Sequence, residues 1–315
     1  MFDAAKFVEE QIADIRKKIT GPAIIACSGG VDSTVAAVIV AKAVPQYLTA
    51  VFVDTGYMRK NEPEQVRELL TSCGVKVDFV DARQEYYDAL KGVTDPERKR
   101  KIIGEKFIRI FEREAKKTGA TFLVQGTIAP DWIESGGGVR DTIKSHHNVG
   151  GLPKDMKFTL VEPLYDLYKD EVRKVARYLN IPVAERQPFP GPGLAIRVLG
   201  DPTPERTAIV REACHIVEEE IDAAVKAGKM ARPWQYFAAL LPVRSVGVHG
   251  DIRHYGETVV VRAVDSLDAM TAQAIHIPYE VLDKISIRIT NELGQHVTRV
   301  VYDLSGKPPG TIEWE

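Results

Sequence analysis

Residues Ser28-Gly29-Gly30-Val31-Asp32-Ser33 place two hydroxyls, two glycines and one carboxylate in a single short stretch. Ile24-Ile25-Ala26 before them is an apolar run, and Val35, Val38 and Ile39 after them recur at helical spacing. The pattern is a strand, a tight glycine turn and a helix. Such a turn gathers backbone N–H groups at the positive end of a helix dipole and attracts phosphate. Neither of two common phosphate loops fits. A GxxxxGK[ST] loop needs a lysine for the terminal phosphates, and this stretch has none; it also lacks GxGxxG. An acid beside a phosphate needs a cation, so Asp32 with Mg²⁺ is the simplest resolution. The plainer alternative is a turn whose Ser33 only caps a helix.

The elements that must position this stretch alternate along the first half of the chain. After the helix to about Ala43, Tyr47–Val53 reads as a strand ending at Asp54. Asn61, Pro63 and Gly74 frame a helix, and Val75–Val80 is another strand. Asp95-Pro96 opens a long charged helix that stops at Gly119, and Thr121–Gln125 is a fourth strand. Residues 127–157 are Gly-rich and aperiodic, which predicts a long loop, functional or mobile. Thr159–Glu162 and 166–179 read as a strand and a helix. This order predicts a doubly wound parallel α/β sheet, with ligands at the carboxyl ends of its strands. Ser28–Ser33, Asp54-Thr55-Gly56 and Gly126-Thr127 all fall there. Residues 180–202 are rich in Pro and Gly and mark a boundary. The division predicted is 1–188 and 189–315, the second part a smaller α+β module with helices near 203–227 and 278–293 and strands at 236–241, 258–264 and 298–303.

Composition narrows the class. The chain has 315 residues, 44% hydrophobic and 27% charged, with a net charge of −2. That is ordinary globular chemistry without the basic excess of a nucleic-acid binder. Cys27, Cys73 and Cys214 form no CxxC pair and no even framework, which favours a reduced, cytoplasmic setting. The first residues read as a mixed-charge amphipathic helix, and no run is long and apolar enough for a membrane span.

The loop SGGVDS resembles the signature of the ATP pyrophosphatase, or PP-loop, family, whose members split ATP between the α and β phosphates. Further stretches resemble the GMP synthetases within it. These are Val51–Gly56 through Asn61-Glu62, the run QGTIAPD at 125–131, IKSHHNVGGLP at 143–153 and FPGPGLAIR at 189–197. Leu241-Pro242-Val243, Ser245–Val248 and Gly250-Asp251 follow in register, and KPPGTIEWE at 307–315 closes the chain in the same way. The resemblance spans nearly the whole chain.

It implies an adenine nucleotide alpha hydrolase-like sheet and a C-terminal dimerisation domain. It implies ATP and Mg²⁺, adenylylation of the purine O2 of xanthosine 5′-monophosphate (XMP), and displacement of AMP by ammonia to give GMP. Carried over on those motifs, Ser28, Gly29, Gly30, Val31, Asp32, Ser33, Val53 and Gly126 contact ATP or pyrophosphate, and Asp32 holds the metal. Asp131 and Lys144 are the catalytic candidates, and Arg197, Lys307, Thr311, Ile312 and Glu313 surround XMP. On its residues alone, the 188–197 stretch is a Pro/Gly linker with a surface Arg197. The resemblance instead makes Arg197 a bidentate phosphate clamp. His146 and His147 fit either a catalytic or a structural role. The basic stretch Glu97–Lys101, with Lys106 and Arg109, reads on charge alone as a solvated helix face, whereas the resemblance makes this region a mobile cover near the ATP site.

No G-x-C-x-G elbow surrounds any of the three cysteines. The expectation is therefore an ATP pyrophosphatase subunit that takes free ammonia, or glutamine nitrogen through a separate glutaminase, and that forms a homodimer without nucleic acid or membrane. Gln187 stands where His is common in the family. Competing expectations are another PP-loop enzyme, such as an NAD synthetase or a tRNA-thiolating enzyme, and a non-catalytic nucleotide sensor.

Overall fold

The computed structural model describes residues 2–134, 158–181, 187–267 and 269–315. Two compact units emerge, and neither is continuous in sequence. One comprises 1–54, 61–82 and 104–186; the other comprises 55–60, 83–103 and 187–315. The second unit thus takes two segments from within the predicted N-terminal domain.

In the first unit, β1 (Ala23–Ala26), β2 (Leu48–Asp54), β3 (Val77–Asp81), β4 (Phe122–Val124) and β5 (Thr159–Val161) form one sheet in the order β3-β2-β1-β4-β5. Every pairing is parallel, with Ile25 opposite both Ala50 and Val124. The apolar run that predicts β1 is there because both faces are covered: Ile24 and Ile25 are buried. Helix α2 (Val31–Ala43) is buried from Thr34 through Ala41, packed against α1 (Ala4–Lys18), α7 (Lys169–Tyr178) and the sheet. An all-round apolar helix is stable only in such a position. Asp3 caps α1 by accepting from Ala5 N and Lys6 N. Strand order reverses between β1 and β4, which makes the loop after β1 and the residue after β4 neighbours at a topological switch point.

Helix α3 (Glu62–Ser72) and α5 (Pro96–Thr118) match the predicted framing. Two helices have no counterpart in the sequence expectation. Helix α4 (Arg83–Leu90) is too short for its single buried pair, Tyr86 and Leu90, to show a period. Helix α6 (Ala129–Glu134) occupies the start of the predicted loop.

The second unit is built on β6 (Gln235–His249), β7 (Ile252–Asp265), β8 (Gln273–Ala274) and β9 (Val297–Tyr302), with α8 (Pro204–Lys226) and α9 (Tyr279–Glu292). Strand β7 pairs antiparallel with β6 and β8 and parallel with β9. Thr203 caps α8 through Arg206 N. Strand β6 runs beyond the predicted Leu241 because the ladder absorbs Pro242 in a register shift between Leu241 and Arg244. Beyond that shift, β6 and β7 continue as a two-stranded ribbon on which Val246, Val248 and Tyr255 are exposed. Among the described residues no helix is long and apolar enough to cross a membrane.

Candidate active site

The loop after β1 is held by its own short side chains. Gly30 N donates to Ser28 Oγ (3.4 Å), while the Ser33 and Thr34 hydroxyls donate to Gly30 O at 3.2 and 2.8 Å. Gly29 has φ +79°, and a Cβ there would stand 2.5 Å from Val66 Cγ2, so both backbone and space demand glycine. Helix α2 begins at Val31, so its first-turn amides converge on this loop. Gly126, after β4, lies against the same point. A Cβ on it would meet Ser33 N at 2.9 Å and Asp32 C at 3.0 Å, both backbone atoms. Val53 is buried in β2 opposite Val80.

Asp32 carries the electrostatics. Its Oδ2 accepts from Lys169 Nζ at 2.5 Å, and its Oδ1 is buried without a hydrogen-bond partner. Lys169 is the first residue of α7, on which Tyr168 N donates to Glu171 Oε2 at 3.0 Å. Sequence reasoning missed Lys169. In the run DLYKDEVRK it reads as one more solvated charge, and only the packing of α7 against α2 brings it to the loop. An unpartnered carboxylate oxygen fits a hard cation. Mg²⁺ is ordinarily held by one or two carboxylates together with substrate phosphates. Among the described residues no group of three His, Cys, Asp or Glu side chains could hold a metal without such help.

Asp131 lies in the first turn of α6, where its Oδ2 accepts from Ile128 N at 2.9 Å. Part of this carboxylate therefore shapes the loop leaving β4. Cys27 is buried, and desolvation pushes its thiol up to about 12, so it is a packing residue and not a nucleophile. Lys144, His146 and His147 lie outside the described residues.

The XMP candidates fall together in the second unit. Arg197 is wholly buried, which corrects the reading of a surface arginine in a linker. It sits between Phe237 (4.1 Å to the ring centroid) and Phe189 (5.2 Å). Its Nε and Nη2 donate to the two carboxylate oxygens of Glu313 at 3.0 and 2.8 Å. Burial alone would lower its pKa, but the Glu313 charge and hydrogen bonds outweigh that and raise it. The fork predicted for a phosphate thus grips the tail. Gln235 Nε2 adds a third hydrogen bond to Glu313, at 2.9 Å.

A second buried arginine, which sequence reasoning did not single out, secures the rest of the tail. Arg262, on β7, donates to Ile312 O (2.8 Å), Thr311 O (2.9 Å), Ser305 O (2.9 Å) and Asp303 Oδ2 (2.7 Å). A strand arginine inside the run TVVVRAV breaks an apolar pattern, and that is the signal it leaves in the sequence. Lys307 exchanges backbone hydrogen bonds with Ala272, and its Nζ donates to Ala269 O at 2.8 Å. Thr311 Oγ1 donates to Glu313 O. The tail KPPGTIEWE at 307–315, which on its residues alone would fray, is instead tied down through Lys307, Thr311, Ile312 and Glu313.

Gln187 occupies its position through both ends of its amide. Nε2 donates to Glu218 Oε1 at 2.8 Å, and Oε1 accepts from Tyr236 N at 2.7 Å. Glu218 itself is pushed up by burial, against the opposing pull of Arg59 and Arg197.

Comparison with known proteins decides the family. The profile of the GMP synthase C terminal domain matches residues 222–314. A subunit of the glutamine-hydrolyzing GMP synthase of Methanopyrus kandleri is 59% identical over 100% of both chains. The chain belongs to the GMP synthase family. The corresponding subunit from Pyrococcus horikoshii is 56% identical, covering 99% of this chain and 100% of that one. The GMP synthase of Clostridium botulinum is 57% identical over 99% of this chain but only 61% of its own length. Among solved structures, an NMN synthetase from Francisella tularensis aligns over 73% of this chain and 89% of its own, with 14% identity and a TM-score of 0.47. Membership of the GMP synthases assigns this chain to the ligases that use ATP. Its full-length relatives are named as one subunit of a glutamine-hydrolyzing enzyme, which implies a companion glutamine amidotransferase subunit.

Proposed function

We propose that this chain aminates XMP to GMP with the cleavage of ATP, in two displacements. The XMP O2 attacks the α phosphorus of ATP, the α–β bridging bond breaks, and pyrophosphate leaves. Ammonia then attacks C2, AMP departs with the former O2, and ammonia loses its surplus protons. O2 is a poor leaving group until adenylylated, which is why the first step is needed.

The observation that carries this reading is the Asp32–Lys169 pair in the glycine loop at the switch point. Pyrophosphate is the most highly charged product, and the loop amides with Lys169 supply positive charge where it develops. Asp32 would hold Mg²⁺ through its free oxygen, and the ion would neutralise the leaving pyrophosphate. Ser28 to Ser33, Val53 and Gly126 form the ATP cradle in this reading; Lys144 approaches phosphate, and Asp131 orients the purine. Lys307, Thr311 and Ile312 face XMP, while Arg197 and Glu313 fix their position. The ATP pyrophosphatase function belongs to the stretch 1–188 and XMP binding to 189–315, apart from 55–60 and 83–103, which pack in the second unit.

Nitrogen from glutamine reaches the chain through a separate glutaminase subunit. The exposed Val246, Val248 and Tyr255 share one face of the ribbon, and a second copy of the chain covers them in a homodimer. The setting is the cytoplasm.

The test is a steady-state assay of the purified chain with ATP, Mg²⁺ and XMP, with ammonia and glutamine compared. AMP and pyrophosphate should appear only with XMP present, and glutamine should support turnover only when a glutaminase subunit is added. ATP cleavage independent of XMP, or glutamine-driven turnover by the chain alone, would overturn the proposal.

A further inference from the structure

Lys99 is wholly buried, yet it lies in the stretch ERKRK that charge patterning reads as a solvated helix face. Its ammonium has three donors, and three acceptors meet it. Nζ donates to Ala195 O at 3.1 Å, to Val198 O at 2.8 Å and to the Glu315 carboxylate. Ala195 and Val198 flank Arg197, the residue that grips Glu313. One cation therefore holds the backbone on either side of Arg197 and, at the same time, the end of the tail two residues beyond Glu313. The next residue repeats the contact: Arg100 Nη2 donates to Glu315 O at 2.5 Å. Gly200 N donates to the other Glu315 carboxylate oxygen at 3.1 Å. Burial lowers the Lys99 pKa, partly opposed by its Glu315 hydrogen bond, and such a cost is borne only where all partners are in place.

We propose that Lys99 is a positioning residue for XMP: by joining the Arg197 segment to Glu315, it sets the place of Thr311, Ile312 and Glu313. This rests on the reading that the tail faces XMP. Lys99 touches no reacting atom, so its loss should weaken XMP binding and leave ATP binding alone.

The experiment uses the full chain in the ammonia-dependent assay, with Lys99→Met, Glu315→Gln and the double variant. Lys99→Met should raise the KM for XMP about tenfold or more while the KM for ATP stays within about twofold, a loss of about 1.4 kcal/mol confined to one substrate. Glu315→Gln should shift the same parameter in the same direction, and the double variant should be no worse than Lys99→Met, since both changes break one contact. Amide hydrogen exchange should quicken in 305–315 and in 194–200 and stay unchanged in 23–43. If Lys99→Met does not fold, Glu315→Gln alone carries the test by the same readouts. An unchanged KM for XMP in a folded variant with a loosened tail overturns the inference while leaving the reaction intact. Failure of the unmodified chain to use XMP at all overturns the proposed function instead.

Discussion

The guanidinium of Arg197 and the carboxylate of Glu313 meet in two parallel hydrogen bonds across 116 residues of chain. Arg197 is fully buried, whereas the Glu313 side chain keeps 15% of its surface. Removing either partner leaves a charge in a site built for a pair. Arg197→Met should cost about 3–5 kcal/mol in unfolding free energy, because Glu313 is then unmatched. Arg197→Lys should recover only part of this, since an ammonium cannot reproduce the planar fork or its contact with Phe237. Urea midpoints of the two variants check the order, and a lysine variant as stable as the parent would contradict it.

Gly126 offers a test of the nucleotide loop that leaves every charge in place. The Cβ of Gly126→Ala would press on the backbone of Asp32 and Ser33, which cannot yield as a side-chain tip would. Calorimetric titration with Mg²⁺ and ATP should show affinity lowered about tenfold or more, equivalent to at least about 1.4 kcal/mol. Binding of XMP should be retained.

Glu114 gives a pH signature. Burial alone pushes its carboxyl up, but hydrogen bonds from Lys117 and Arg113 outweigh this and leave it below its ordinary value of 4.5. The folded state thus holds the proton less tightly than the unfolded state. Its stabilising contribution is present above the ordinary value and is lost as pH falls through the lower folded one. Glu114→Gln should lower stability by about 1 kcal/mol at neutral pH, since both cations are largely exposed. The difference from the parent should vanish in acid, and thermal melts across that range would reveal it.

The thiols separate by exposure. Cys27 and Cys214 are buried and Cys73 is half-buried. With the Cys27 thiol held up to about 12 by burial, its thiolate fraction at pH 8 is about one in ten thousand. An aromatic disulfide reagent should therefore modify Cys73 first in the native protein, and the other two only on unfolding. Rapid native modification of Cys27 would show that the strand beneath the loop opens.

Much of the fold was legible because its signals are local. Apolar runs and their glycine or proline ends mark β1, β2, α3 and α5 without reference to any partner. The glycine turn between β1 and α2 was legible for the same reason, since Ser28 to Ser33 are contiguous. Lys169 and Lys99 were not, because a lysine on a charged helix looks alike whether it faces water or a carboxylate. Arg197 was misread on its residues alone because its neighbours are Pro and Gly. Its burial depends on Phe189, Phe237 and Glu313, which come from separate stretches. Helix α4 escaped because two apolar side chains one turn apart do not make a period.

The Asp32–Lys169 contact has a bearing on the order of events at the loop. Before nucleotide arrives, the one acid of the loop already has a counter-ion, so a free divalent cation meets a neutralised carboxylate and gains little there. On the proposed function, incoming triphosphate would change the balance, because its oxygens compete for Lys169 and its metal meets the unpartnered Oδ1 of Asp32. On that reading, the loop would in this way favour the metal–nucleotide complex over either component alone.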